Sequence, residues 1–449
     1  MTNHSSVPEV GAEPAGRHDQ NMTGEMAPTH ETFGDPAEAS GASPAATSRG
    51  PDHVVSPLIE TPAPDRRLRV VMLLNGRSAF EPAWADAAAT RVDLVRISIA
   101  SEAGGAPTAL PYLKRVPEPA DSFQLASGPS PANARTVRGF AARVVRQRRV
   151  KRRLVRSLRL LQAHHGPFDL LHGHFSASAP TIIRGARALG VPYVITEHSS
   201  SYSGRNPNNR LSRRGLTRTR RACAGAGAVI PVSKELELAM RAHGVVAAFQ
   251  VIPNPVDTRL FSAPDVLPGE ATIELACVAR LDQVKGHDLL LEAIASLRDT
   301  LPQLRLTLIG GGPLRDQLEA QARRLGLDGV VSFDGGLPPD AVAQKLRASH
   351  AFVLASRWEN LSVAALEACA TGLPCVLSRV GGLSEIDAEG ITLVEPDDLT
   401  GLTRAIHATV THLPDLGTRR RRAELARARY SVEAVGSRLD QIYRRVLGC

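Results

Sequence analysis

Aromatic residues are scarce in this chain of 449 amino acids: they make up 4% of it, with two tryptophans. Cysteine is scarce too. The five, Cys223, Cys277, Cys369, Cys375 and Cys449, are odd in number, scattered, and form no Cys-x-x-Cys pair. That pattern gives neither a disulfide framework nor a zinc ribbon. They read as small apolar core residues and a free C-terminal thiol in a reduced, cytosolic setting. No run of 18 apolar residues occurs, so no membrane-spanning helix is expected. The N-terminus shows no basic segment followed by an apolar one, so no secretory leader is expected. A Gly-x-x-x-x-Gly-Lys-Ser/Thr loop is also missing, which argues against a P-loop nucleotidase.

Apolar residues, at 43%, are present in ordinary proportion. The length exceeds what one core usually organises, so two domains are expected. The net charge of +9 conceals an asymmetry. Residues 1–65 hold 2 basic and 10 acidic side chains, residues 66–230 hold 28 and 8, and residues 231–449 hold 24 and 27. The positive field therefore belongs to the middle region, and an acidic partner should meet the chain there.

Residues 1–65, rich in Pro, Ala, Gly, Ser, Thr and acids, cannot bury enough apolar surface to offset the entropy of ordering, and read as a disordered acidic tail. From Arg67 short apolar runs alternate with helical stretches. Arg69–Leu74, Val92–Ile99, Phe168–Phe175, Tyr193–His198, Ala228–Ser233 and Gln250–Pro253 read as strands, with helices such as Ala177–Leu189 and Lys234–His243 between them. A second series follows, at Glu274–Leu281, Leu304–Ile309, Val330–Phe333, Ala351–Ala355, Cys375–Ser378 and Ile391–Val394. Strands alternating with helices imply right-handed crossovers and parallel sheets. The fold class is therefore α/β, with two doubly wound domains facing a central cleft and a linker near Pro253–Thr258. Arg419–Leu447 reads as two helices interrupted near Ser431.

In doubly wound sheets, ligands lie beyond the carboxyl ends of the strands. After Glu274–Leu281 comes Arg280-Leu281-Asp282-Gln283-Val284-Lys285-Gly286-His287. Its guanidinium and ammonium suit a diphosphate whose charge grows as a bond to it breaks; a solvated loop Arg and Lys give the same spacing. After Ala351–Ala355 comes Ser356-Arg357-Trp358-Glu359-Asn360-Leu361-Ser362-Val363. Asn360 reads as an N-cap, and the exposed N–H groups of the helix start form an anion site. Glu359 precedes that helix, where it suits sugar hydroxyls. Glu367 lies about two turns further in, roughly 10 Å along the axis, and suits a ribose. Taken alone, Glu359 reads rather as a helix-start acid complementing the dipole and Glu367 as a solvated helix residue. Gly310-Gly311-Gly312 and Gly381-Gly382-Leu383-Ser384-Glu385 also follow strands. Glycine there permits close backbone approach to a ligand, or simply a turn.

Taken together, these pieces resemble glycosyltransferase family 4, the retaining family with the two-domain GT-B fold. The resemblance rests on Val251-Ile252-Pro253-Asn254-Pro255-Val256-Asp257 with Phe261, and on Arg280-Leu281 with Lys285-Gly286-His287. It continues through Gly310-Gly311-Gly312-Pro313-Leu314, the Glu359-x7-Glu367 pair, Gly372-x-Pro374 and Gly381-Gly382-x-x-Glu385, in order. It covers residues 168–447 well and 66–167 loosely. The resemblance implies that Arg280 and Lys285 hold the donor diphosphate, and that the backbone around Leu361, Ser362 and Val363 covers its phosphate end. It further implies that Gly311 and Gly312 line the donor side, Glu359 contacts the transferred sugar and Glu367 the nucleotide ribose. Thr196-Glu197-His198-Ser199-Ser200 is similar to the family's strand-end His motif, which would place His198 beside the reacting carbon; alone, it reads as a core histidine. Residues 66–256 would form the acceptor-side domain and 257–430 the nucleotide-sugar side. The helix in 431–449 would pack back on the first. The sequence departs from the family at Asn360-Leu361-Ser362, where Gly-Phe-Gly is frequent, and at Asn75-Gly76-Arg77-Ser78, where a glycine-rich loop is usual.

The implied activity moves a hexose-type sugar from a UDP- or GDP-sugar to a glycan, lipid-linked or small-molecule acceptor, with retention. No cofactor is expected. No metal is expected either, since Arg280, Lys285 and helix N–H groups take its place and no Asp-x-Asp occurs. Two other classes compete: a nucleotide-sugar-binding protein without turnover, and a basic nucleic-acid-binding protein. The last is disfavoured because no aromatic interleaving accompanies the charge. Between Arg135 and Arg159 lie eleven Arg or Lys and no acid, and seven arginines follow between Arg205 and Arg221. Phe140, Val144, Val150, Leu154, Leu158 and Leu161 approximate one helical face. A basic amphipathic helix bearing Arg148, Arg149, Arg152 and Arg153 suits an anionic membrane surface, at the inner face of which a cytoplasmic enzyme would sit peripherally. A solvated arginine-rich face gives the same pattern.

Overall fold

Near-continuous apolar runs become strands buried on both faces once helices cover each side of a parallel sheet. Two such sheets form here. The computed structural model describes residues 62–63, 65–74, 81–100, 106–107, 113–115, 122–126, 137–202 and 211–449. Almost all of the expected acidic tail, the stretch Asn75–Ser78 and the arginines at 205 and 210 lie outside these residues.

The first sheet contains β1 (Arg69–Leu74), β2 (Asp93–Ala100), β3 (Ala106–Pro107), β4 (Leu113–Arg115), β5 (Ser122–Ala126), β6 (Leu170–His174), β7 (Tyr193–Glu197) and β8 (Ala228–Pro231). Their order is β3-β4-β5-β2-β1-β6-β7-β8, parallel except for β4, which runs antiparallel to its neighbours β3 and β5. The second sheet contains β9 (Ile273–Val278), β10 (Leu304–Ile309), β11 (Val331–Gly335), β12 (Ala351–Leu354), β13 (Cys375–Ser378) and β14 (Ile391–Val394). It is wholly parallel, in the order β11-β10-β9-β12-β13-β14. Strand order reverses between β1 and β6 in one sheet and between β9 and β12 in the other. These switch points are where doubly wound sheets open a crevice for ligands.

The helices are α1 (Glu81–Ala89), α2 (Val137–His165), α3 (Ala179–Leu189), α4 (Arg213–Ala224), α5 (Lys234–Ala242), α6 (His287–Leu297), α7 (Arg315–Arg324), α8 (Pro339–Ala348), α9 (Val363–Ala370), α10 (Leu399–Thr411), α11 (Leu416–Tyr430) and α12 (Val432–Leu447). Gln250–Pro253 is not a strand. An isolated bridge links Phe249 to Val229, Gln250 N and Ile252 N donate to Val229 O at 3.0 Å and Pro231 O at 3.2 Å, and the chain then leaves the first sheet. It passes the returning chain at once, because Val256 N donates to Tyr430 O at 2.8 Å and Val256 bridges Ser431. The two chain crossings between the sheets thus lie side by side. Past Ser431, α12 packs on α1, where any side chain at Gly436 would overlap the Ala87 carbonyl.

The basic helix α2 differs from its amphipathic reading in one respect. Leu154, Leu158 and Leu161 are fully buried against β1, β6 and α3, and Val150 packs on the same core. That stretch of apolar stripe is therefore occupied by the protein's own sheet. Arg148, Arg149 and Arg152 are exposed and Arg153 is half-buried, so attraction to an anionic surface would rest on charge rather than on an inserted apolar face.

Candidate active site

At the β9–β12 switch point two loops meet. The loop after β9 turns through Asp282, whose carboxylate accepts from Val284 N at 3.2 Å, and ends at Gly286 with φ +64°. A side chain at Gly286 would overlap the Ala355 carbonyl at the end of β12. Glycine therefore lets Lys285 approach the neighbouring strand. Arg357, after β12, locks the two loops together. It forks onto Asp288 at 2.9 and 2.8 Å, donates to Gln283 O at 2.8 Å, and reaches Asp397 at 2.7 Å. Buried His287 faces the Arg280 carbonyl at 3.2 Å.

This scaffold brings Lys285 into an ion pair with buried Glu359. Ser356 donates to the same carboxylate oxygen of Glu359 at 3.2 Å. Burial pulls the Lys285 ammonium down, but the charge and hydrogen bond of Glu359, with Asp282 beyond, outweigh it and raise the pKa. The lysine is therefore cationic at neutral pH. Arg280 stands exposed at the strand end, 3.5 Å from Asp282. Asp282 thus lies by both cations. Gly312 closes the side of the site: a side chain there would overlap the Leu281 carbonyl, whereas Gly311 faces open space.

The helix α9 begins at Val363, two residues later than a cap at Asn360 would have started it. Its cap is Ser362, which accepts from Ala365 N at 3.3 Å. Asn360 is instead drawn away by a partner on the other sheet, donating to His198 O at 2.6 Å. With the later start, Glu367 lies one turn inside α9 rather than two. Burial pushes its carboxyl up to about 7, and it makes no hydrogen bond among the described residues.

Across from these loops, β6 and β7 present three histidines. His172 and His174 occupy alternate positions of β6, and His198 follows β7. Their rings stack in sequence, with centroids 4.8 Å apart for His172–His174 and 5.2 Å for His174–His198. His174 Nδ1 lies 3.0 Å from His198 Nε2, while His172 is held by Tyr443 and Thr196 at 2.7 Å each. Trp84 of α1 meets all three edge-on. Burial lowers the pKa of all three; His174 falls to about 3, and His198 is lowered further by its two histidine neighbours against a hydrogen bond with Asn254. They are neutral, so His198 serves as a hydrogen-bonding group and not as a cation.

Glu197 fixes the strand-end turn. Its carboxylate accepts from the backbone N–H of Ser176, His198 and Ser199 at 2.9, 3.0 and 2.8 Å. Phe175, just before Ser176, has φ 64°, an uncommon value for a residue with a side chain. Its ring lies 5.2 Å from that of His198. Such strain persists where surrounding contacts over-determine it, often beside functional groups.

His198 is thus joined through Asn360 to the Glu359 loop. A second link runs from Trp84 Nε1 to Asn254 Oδ1 at 3.1 Å and from Asn254 Nδ2 to Leu361 O at 3.0 Å. The structure therefore brings the loop of Glu359, Asn360 and Leu361, with Lys285 paired to Glu359, up to His198 across one interface, while Arg280 is exposed at the end of β9 and Glu367 lies inside α9. The arginines of α2 stand on the outer surface of the first sheet. Sequence reasoning passed over Trp84, His172 and His174, and gave Glu197 no role beyond its place in the motif. The only signal was a pair of histidines two apart in an apolar strand, the spacing that puts both on one face.

Two family profiles match the chain: "Glycosyltransferase Family 4" over residues 76–260 and "Glycosyl transferases group 1" over residues 264–428. One component of the phosphatidylinositol N-acetylglucosaminyltransferase of Arabidopsis thaliana is 30% identical over 285 residues, covering 62% of each chain. Glycogen synthase of Mycobacterium tuberculosis (strain CDC 1551 / Oshkosh) is 30% identical over 286 residues, covering 61% of this chain and 68% of the relative. Among solved structures, Anabaena HepE in complex with UDP and glucose superposes with a TM-score of 0.62 at 18% identity, over 84% of this chain and 99% of that one. With two profiles meeting at the linker and the switch-point loops in place, the chain belongs to glycosyltransferase family 4 and has the GT-B fold.

Proposed function

We propose that the chain transfers a hexose-type sugar, with retention and without a metal, from a UDP- or GDP-sugar to a glycan, lipid-linked or small-molecule acceptor. The observation that carries this reading is the Lys285–Glu359 pair at the β9–β12 switch point, opposite His198. A diphosphate entering there competes with Glu359 for Lys285. Arg280 and the N–H groups at the start of α9 add to the positive potential that receives the charge of the leaving group. Freed of Lys285, Glu359 turns to the hydroxyls of the sugar, and neutral His198 hydrogen-bonds the same sugar from the other sheet. Retention follows when the acceptor oxygen bonds to C1 on the face the diphosphate leaves. The C1–O bond to phosphate breaks, and the acceptor proton passes to the departing phosphate oxygen. The UDP and glucose bound by the structural relative, and the acetylglucosaminyl transfer named for the Arabidopsis relative, support a nucleotide-sugar donor.

The test is release of UDP or GDP from a panel of nucleotide sugars by wild type and Glu359→Gln. Wild type should release nucleotide from at least one donor, and the substitution should cut kcat by about a hundredfold or more, the scale of a lost transition-state contact. Release from no donor, or release indifferent to Glu359→Gln, overturns the proposal.

Glu367 supplies a second check. Its carboxyl, raised to about 7 by burial, is largely protonated at about pH 6, and ribose hydroxyls bonding to it would favour the ionised form. Nucleotide binding should therefore release up to about one proton near pH 6 and almost none above about pH 8.5. Calorimetry in buffers of different ionisation enthalpy measures this. Proton release that persists unchanged in Glu367→Gln removes the ribose role.

A further inference from the structure

The turn after β13 carries a carboxylate that the chemistry above leaves unused. Gly381–Glu385 forms one helical turn, and Glu385 reaches from the second sheet to the first. Its two oxygens accept the backbone N–H groups of Lys234 and Glu235, at 2.6 Å each. These are the first two N–H groups of α5, the helix that follows β8. Ser233 caps the same helix from within, accepting from Leu236 N at 3.2 Å. A helix start leaves four N–H groups without partners. Here two of the four are satisfied across the interface, by a charge that the helix dipole also favours. The Lys234 ammonium is engaged elsewhere, on Glu237 at 2.8 Å, so the contact is made by the backbone and not by a flexible ion pair.

The same turn grips the loop of Glu359. Gly382 N donates to Asn360 O at 2.8 Å, and side chains at Gly381 or Gly382 would overlap the carbonyls of Glu359 and Asn360. One short turn therefore holds α5 at one end and the backbone of Glu359 and Asn360 at the other. A cavity of about 530 Å³ opens between α5 and this turn, lined in part by Tyr202, Trp358 and Asn360.

Resting on the donor-side reading of Glu359, we propose that Glu385 is a positioning residue: it docks the second sheet on the N-terminus of α5 and thereby sets where Glu359 and Asn360 stand against His198. It touches no substrate. Its loss should open the two sheets and slow the reacting step while leaving nucleotide binding, a matter for the second sheet alone, nearly intact.

The experiment compares full-length wild type, Glu385→Ala and Glu385→Gln. Small-angle scattering gives the radius of gyration, calorimetry the Kd of UDP and of GDP, and nucleotide-sugar hydrolysis by water kcat and KM. The isosteric Gln keeps one carbonyl acceptor but lacks the charge, and should fall between the other two. Expected in Glu385→Ala are a larger radius of gyration, nucleotide Kd within about threefold, and kcat reduced about tenfold, the scale of a lost charge-assisted contact. An unchanged radius of gyration in both variants overturns the docking role whatever happens to turnover. An enlarged radius with kcat within twofold overturns the coupling to Glu359, as does a Kd that worsens in step with kcat. If wild type neither binds UDP or GDP nor hydrolyses a nucleotide sugar, the donor-side reading fails instead, and the scattering comparison still decides the docking.

Discussion

Replacing Lys285 with Met should lower kcat/KM for the nucleotide-sugar donor by about a hundred- to a thousandfold, because it removes a buried cation placed to receive a departing diphosphate. The ammonium and Glu359 are both largely buried, with side-chain exposures of 22% and 9%. The substitution therefore also strands a carboxylate whose remaining partner is the Ser356 hydroxyl. Breaking such a pair from one side costs on the order of 3 kcal/mol, so the melting temperature should fall as well. The two effects separate in the double variant with Glu359→Gln. Neutralising the stranded acid should recover stability, while turnover stays at or below that of the single variants, since groups acting as a unit are not additive. Steady-state kinetics and thermal melts of the four proteins check this. Turnover within about fivefold of wild type in Lys285→Met would remove the lysine from the chemistry.

The second large effect is loss of stability in acid. His172, His174 and His198 have pKa values below 6.5 in the fold, first through burial, and His287 and His350 are lowered in the same way. In the unfolded chain they titrate near 6.5. Below that pH the unfolded state binds the extra protons, so the stability present at neutral pH is lost as pH falls. Each fully neutral histidine contributes a slope of about 1.4 kcal/mol per pH unit. Glu367 acts in the opposite sense by one proton, because its raised carboxyl is protonated in the fold at a pH where the unfolded group is not. The slope should nonetheless be dominated by the histidines. Denaturant midpoints at pH 7.5, 6 and 5 measure it, and His174→Asn should flatten the curve by about one proton's worth. Stability that is flat or rising from pH 7.5 to 5 would contradict the neutral histidine stack.

The architecture was legible because it depends on local pattern. Leu304–Ile309, Cys375–Ser378 and Ile391–Val394 are strands at the residues the apolar runs suggest, and α11 and α12 part at Ser431 as read. Buried parallel strands write themselves as uninterrupted apolar runs, and that signal needs no partner to be recognised. The antiparallel β3 and β4, of two and three residues, and the parallel β5 with its polar Ser122 and Gln124 carry no such signal and were missed.

Capping at α9 shows where local reading stops. Asn360 and Ser362 are both good caps, and nothing nearby ranks them. The decision came from His198 O, 162 residues away in the chain, which claims the Asn360 amide and leaves the helix to Ser362.

The sequence by itself determined the parallel strands of two sheets, the glycines that permit close loop crossings, and the positions of Arg280, Lys285, Glu359 and His198 at strand ends. Those follow from periodicity and backbone sterics acting over a few residues. Only the tertiary structure decided that Glu359 pairs with Lys285 and that Trp84 braces three stacked histidines. It also decided that the apolar stripe of α2 from Val150 to Leu161 belongs to the core and that Glu385 spans the interface. Each of these depends on desolvation and on partners distant in sequence, and neither exists until the sheets have packed.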